Sequence, residues 1–272
     1  VARAVDDPAL VAFALSQLGL PVTEQDDLES ARAILGEAAA TARRAGDARE
    51  TAFAVGRLGY LATLLSDPDT ARPLVDEALA LSRMVGDGGV IAFSLLMLGQ
   101  MAVMRGDRAQ ARALFQESIA TARSIGFNHQ ISYGLNYLGD LARLEGDPAM
   151  AGAAFHEGLT EARSTGDGIP IATGLVKCAG LDAEQGRCAR AARLLAAEEA
   201  WREHTGNRRP SWRADEYVRA LAAARGGLSA QDFAGARAAG LAMTLDQAVA
   251  DALDETQAES TVGTAGTPVG AG

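Results

Sequence analysis

Residues 88–127 read GGVIAFSLLMLGQMAVMRGDRAQARALFQESIATARSIGF. From Val90 to Arg105 the apolar residues Ile91, Leu95, Leu98 and Ala102 recur at helical spacing. Gly106 stops that helix, as a glycine just past a helix end does. Asp107 is placed to cap the next helix through its side chain. The pattern resumes through Ala111, Phe115, Ile119 and Ala122, and Gly126 ends it. The stretch predicts two helices joined by a tight turn.

The same text recurs on both sides with a period of 40 residues. Leu98-Gly99 is echoed by Leu18-Gly19, Leu58-Gly59 and Leu138-Gly139, with Cys178-Ala179 in the next slot. Gly86-Asp87 is echoed by Gly46-Asp47, Gly126-Phe127, Gly166-Asp167 and Gly206-Asn207. Gly106-Asp107 is preceded by Ser66-Asp67 and followed by Gly146-Asp147 and Gly186-Arg187. A small residue stands at Ala31, Ala71, Ala111, Ala151 and Ala191. Four markers in one register define five units within residues 1–207, at 8–47, 48–87, 88–127, 128–167 and 168–207. In each, a glycine in one helix admits the partner helix closely while the leucine beside it fills the seam. The first unit is degenerate: Pro21 is expected to interrupt its first helix, with a loop from Thr23 to Asp27. A frayed terminal unit suits a solenoid.

Beyond residue 207 the register is lost. Pro210 marks a turn, and a helix is expected from about Trp212 to Ala224. Gly226-Gly227 breaks it, Ser229 caps a helix through Gly240, and Thr244 to Gln247 form a capping box opening a last helix to Leu253. Residues 208–253 thus read as a helical C-terminal cap. The Thr, Gly, Ala, Ser and Pro of residues 254–272 offer too little apolar mass to offset ordering entropy, so this tail is expected to be disordered. The fold class is therefore all-α, a right-handed superhelical solenoid of five hairpins closed by a cap.

Composition agrees. Hydrophobic residues make up 48% and aromatics 5% of the 272, so the apolar mass is mostly Ala, Leu and Val, which suits helices packed through small residues. The 35 acidic residues outnumber the 25 basic ones, and no basic stripe exists, which weighs against direct nucleic-acid binding. No run of 18 apolar residues suggests a membrane span, and with no leader visible the expected location is cytoplasmic. Val1 rather than Met opens the chain, which reads as a fragment of something longer. Arg predominates over a single lysine, Lys177, as GC-rich bacterial coding would have it.

The spacing of Leu98-Gly99, Gly106-Asp107, Ala111 and Phe115 resembles the tetratricopeptide repeat, with Leu95 where that family prefers Trp. Longer second helices stretch the family's period of about 34 residues to 40. The run Leu194 to Glu203, then Tyr217, Leu221 and Phe233 to Leu253, resembles the C-terminal end of actinobacterial ATPase-type transcriptional regulators. These are LuxR-type, maltose-activator-like or AfsR-like proteins. The resemblance spans nearly all of residues 8–253 and implies a sensor module with an upstream ATPase module as its partner. The departures are clear. The Gly-rich nucleotide loop needs a Gly-Lys-Ser or Gly-Lys-Thr, and Lys177 sits in Val-Lys-Cys. LuxR-type relatives carry DNA-binding helices after this point, where the present sequence has Glu255 to Gly272.

Catalytic chemistry finds no assembled site. His129, His156 and His204 read as surface or helix-end residues. Cys178 replaces a core leucine, and Cys188 lies ten residues on, which is not zinc spacing. No metal, cofactor or enzymatic activity is expected. The groove is the better candidate. The resemblance implies that the first helices line the concave face. Phe13, Phe53, Phe93 and Tyr133 would then form an aromatic stripe, which either packs between hairpins or lines a binding groove. The groove reading takes in Phe53, Tyr60, Phe93, Leu96, Gln100, Tyr133, Asn136, Asp140 and Arg143; Asp140 and Arg143 could instead pair with each other. A protein partner or a small effector would occupy it. The alternative is a free-standing adaptor or self-association scaffold without a small effector, the second of which would make the chain a homo-oligomer.

Overall fold

An aspartate recurs along the repeats, and each one opens a helix. The computed structural model describes residues 7–253. The first hairpin pairs α1 (Pro8–Glu24) with α2 (Leu28–Ala45), and the second α3 (Ala48–Leu64) with α4 (Pro68–Val85). Then come α5 (Gly88–Met104) with α6 (Arg108–Ser124), and α7 (Asn128–Leu144) with α8 (Pro148–Thr165). The fifth is α9 (Gly168–Glu184) with α10 (Cys188–Thr205). Asp7, Asp27, Asp47, Asp67, Asp87, Asp107, Asp147 and Asp167 each accept a hydrogen bond from a backbone N–H of the helix that follows. That satisfies donors the helix itself cannot. The slot is broken at Phe127 and Arg187, which make no such bond.

The seam between paired helices is built as its residue types require. Gly19, Gly59, Gly99 and Gly139 face Leu35, Val75, Phe115 and Phe155 of the second helices, and a Cβ at Gly59 would come within 2.6 Å of Val75 Cγ2. Phe115 and Phe155 are fully buried there. The leucines beside the glycines differ. Leu98 is buried, whereas Leu18 is half exposed.

Successive first helices touch one another, α1 with α3, α3 with α5, α5 with α7 and α7 with α9, and the second helices have no comparable contact. The first helices therefore line the inner face of the curve. The described residues form an all-α solenoid without strands.

Two expectations need correcting. Pro21 does not interrupt α1, which runs on to Glu24. Proline this close to a C-terminus costs one hydrogen bond, to the carbonyl of Gln17, and Gln17 is exposed. The turn is shorter than expected, and Asp26 adopts φ +68° where later units place Gly106, Gly146 and Gly186.

The second concerns the cap. Residues 208–253 supply α11 (Ser211–Gly226), α12 (Ala230–Leu241) and α13 (Leu245–Leu253). Helices α12 and α13 cover the last hairpin, with Ala248, Val249 and Ala252 fully buried. Helix α11 instead turns back along the inner face. It packs on α9 and α10, and its first turn reaches the first hairpin, where Asp26 accepts from Ser211 Oγ (2.9 Å) and Ser211 N–H (3.3 Å). The expected tail, residues 254–272, lies outside the described residues.

Candidate functional site: a chamber in the concave groove

Helix α11 divides the groove. One part is filled by α11 itself, and the other remains as a chamber of about 690 Å³. That volume suits a small organic ligand. The aromatic stripe converges on it. Phe13, Phe53, Phe93 and Tyr133, one from each of the first four hairpins, all line the chamber, together with Tyr60 and Leu96. Tyr60 meets Phe93 edge-on at 5.9 Å between ring centroids, and Trp212 of α11 meets Tyr60 edge-on at 6.2 Å. Edge-to-face contact is one of the geometries that aromatic rings prefer.

Further wall residues come from positions that the aromatic stripe does not mark. Phe127 takes the slot where other units carry the capping aspartate. It gives up the cap and presents a ring that stacks on His129 (6.2 Å). His129 also lies 4.9 Å from the Tyr133 ring and 3.8 Å from Asp167. Burial lowers its pKa, Asp167 opposes that and Arg213 adds to it. The break in the Gly-Asp marker at Gly126-Phe127 was the sequence signal for this wall. Arg213 has no such signal. It lines the chamber from α11, with Nη2 3.4 Å from the Tyr133 hydroxyl and 3.8 Å from Glu24, and Nη1 3.5 Å from Thr173.

The remaining candidates lie elsewhere. Gln100 is off the chamber, its side-chain amide 3.6 Å from Met97 Sδ. Asn136 is not a groove residue: it is 2% exposed and faces α8, where Gly158 leaves room for it. Neither polar atom of its amide has a partner among the described residues. Asp140 and Arg143 do share one face, at 3.8 Å, but they are engaged beneath α11. Asp140 accepts from Lys177 Nζ at 2.6 Å, and Lys177 also pairs with Glu216 of α11 at 2.7 Å. Arg143 binds Glu184 and lies 3.8 Å from Glu216. Burial alone would lower the Lys177 pKa, but the two carboxylates hold it above the ordinary lysine range.

A second set of ion pairs aims α11. Glu198 is fully buried in α10 and is gripped by Arg202 and by Arg209 of the connecting segment. The Arg209 guanidinium lies 3.5 Å from the Tyr217 ring centroid, and the Tyr217 hydroxyl donates to Glu199 at 3.0 Å. A buried carboxylate with two guanidinium partners is a geometric constraint more than a source of stability.

The two cysteines are core residues, and burial pushes the Cys178 thiol up to about 12. No helix among the described residues is long and apolar enough to cross a membrane.

A helical-repeat solenoid with a chambered inner face is thus the class of protein that the fold and site define. Residues 50–124 match the tetratricopeptide repeat family. The crystal structure of BtubC (BKLC) from P. vanneervenii is similar in fold, with a TM-score of 0.59 and 17% identity. The match covers 90% of this chain and 96% of that one. At that identity the likeness is one of fold. No curated protein sequence matches the chain. Repeats of the matched family generally mediate protein–protein interaction.

Proposed function

We propose that this chain is a non-catalytic binding and sensor module. A small effector occupies the aromatic chamber, and α11, which forms part of the chamber wall, reports its presence to a protein partner. One observation carries this reading: Arg213 lines the chamber while resting against Glu24 of the first hairpin, Tyr133 of the fourth and Thr173 of the fifth. A ligand that reorganises these contacts has different affinities for docked and undocked α11, which is the condition for shifting the equilibrium between them.

The setting we favour is an ATPase-type transcriptional regulator acting in the cytoplasm, with an upstream ATPase module as the partner that reads α11. The resemblance of Leu194 to Glu203 and Phe233 to Leu253 to the ends of such proteins supports it. The absence of catalysis is supported by the placement of the candidate nucleophiles and bases. Cys178 is buried with its thiol pushed up, and His129 is wedged between Phe127 and Tyr133.

Trp201 and Trp212 are the two tryptophans of the chain, so Trp201→Phe leaves Trp212 as the sole indole reporter on α11. Titration of that variant with an effector library should produce a saturable change in Trp212 emission that Tyr133→Ala abolishes. Ligand binding without any change at Trp212 would remove the sensor role. Failure of every compound, together with capture of a partner by the unliganded chain, would favour the adaptor reading.

A further inference from the structure

The charged groups of the chamber fall into two kinds. Most are already paired. Arg49 holds Asp87 at 2.7 Å, Arg213 lies by Glu24, and His129 lies by Asp167. Two are not, and both stand on α3. Glu50 is 9% exposed and lines the chamber, and its Oε1 has no hydrogen-bond partner among the described residues. Its orientation is not the one its position suggests. It stands three residues after the Asp47 cap, where a carboxylate ordinarily turns back to accept from the cap's own N–H. Here that N–H is satisfied by the Ala42 carbonyl at 3.1 Å, and Glu50 faces the chamber instead.

Arg57 is the second. Its guanidinium lies 4.2 Å from the Phe53 ring centroid and has no ion pair among the described residues. One hydrogen bond holds it, from Nη1 to the Ser16 carbonyl at 2.9 Å, which uses one of about five N–H donors. Ser16 also joins the two groups. Its buried hydroxyl adjoins the Glu50 carboxylate and is itself without a partner of good geometry among the described residues. The carboxylate and the guanidinium, two helical turns apart along α3, therefore meet at one residue of α1. Burial raises the Glu50 pKa and brings Arg57 down to about 10, and the attraction between the two offsets that only in part.

Resting on the effector reading above, we infer that this wall is a head-group site for an amino-acid-type zwitterion with a bulky apolar body. The ligand's ammonium donates to Glu50, its carboxylate accepts from Arg57, and its apolar body lies among Phe53, Phe93 and Tyr60. The chemistry follows from what is left over. A purely cationic ligand leaves Arg57 unmatched, and a purely anionic one leaves Glu50 unmatched and adds repulsion. The chamber of about 690 Å³ has room for an aromatic amino acid or for a dipeptide of two aromatic residues.

The test uses the full chain and calorimetric titration with L-tryptophan and L-phenylalanyl-L-phenylalanine, each beside its N-acetyl and its C-terminal amide form. The neutral dye Nile red and indole report the chamber without a head group. At least one zwitterion should bind about tenfold or more tighter than either of its blocked forms. Glu50→Gln and Arg57→Met should each remove that advantage while leaving Nile red binding unchanged. The blocked ligands make the comparison on the unaltered chain, so it does not depend on how a variant folds. Tightest binding by the amino acid or by the dipeptide would identify which source of the zwitterion fits. If dye and indole bind but no zwitterion exceeds its blocked forms, the head-group site is wrong and the chamber stands. If neither dye nor zwitterion binds, both are wrong.

Discussion

The two halves of the groove are both walled by first helices and end in opposite states. Toward the N-terminal hairpins, Phe13, Phe53 and Phe93 surround open space. Toward the C-terminal hairpins, Asp140, Arg143 and Lys177 on the same inner face are covered by Glu216 of α11. The first half is aromatic and keeps unpaired polar groups at Glu50 and Arg57. The second is ionic and nearly self-satisfied. A repeat scaffold supplies the curved wall, and the chain's own helix decides which part of it remains open. The chamber comes from incomplete self-occupation.

The largest expected effect breaks the filled half. Lys177→Met leaves Asp140 and Glu216 facing each other with only Arg143 as a cation, 3.8 Å from each, and we expect a loss of about 3 kcal/mol in urea unfolding. Hydrogen exchange should show α11 losing protection first. If α3 and α5 lose protection together with α11, the two halves are one cooperative unit and the contrast fails. Trp212→Ala removes the ring that joins α11 to Tyr60 across the boundary. Because that residue is only partly buried, a cost of about 2 kcal/mol is expected, below the range for a fully buried tryptophan. Nile red should bind this variant more readily, since the chamber gains the space of an indole.

A smaller effect separates the two ends of the latch. Asp26 pairs with Ser211 at the start of α11 and does so from φ +68°. Asp26→Ala loses the acceptor and keeps the unfavourable backbone, so about 1 kcal/mol should be lost. Asp26→Gly relieves the backbone and should lie close to the parent chain. Equal losses for the two would show that the left-handed turn contributes nothing.

The smallest effect is a pH dependence in the open half. Burial raises the Glu50 pKa above the ordinary 4.5, so the folded chain holds this proton more tightly than the unfolded chain. The resulting cost is full above the folded pKa and disappears as pH falls through 4.5. Glu50→Gln should therefore be the more stable chain at neutral pH, with the gap closing on acidification. Thermal melts across that range check the sign, and a gap that widens at low pH would contradict it.

How much of this was legible varies by residue. Gly59, Gly99 and Gly139, spaced by the repeat, carry their packing reason with them, because a side chain there would strike Val75, Phe115 or Phe155. The stripe of Phe13, Phe53, Phe93 and Tyr133 was legible for the same cause, since one helical position repeated every 40 residues stays on one face. Asn136 misled because its face is inner by spacing, yet Gly158 opened a nearer cavity on α8. Asp140 and Arg143 were read without knowing what would cover them. Lys177 drew notice as the single lysine, but nothing in its neighbours names Glu216 as a partner 39 residues away.

The amino-acid sequence alone determined the helices, their pairing and the inner face, because those depend on local capping, helical spacing and contacts within one or two units. The course of α11 was decided only in three dimensions. Its place rests on Ser211 meeting Asp26 and on Arg213 meeting Glu24, contacts spanning most of the chain that no periodicity encodes. The curvature of five stacked hairpins brings those distant residues within reach, and so creates the chamber.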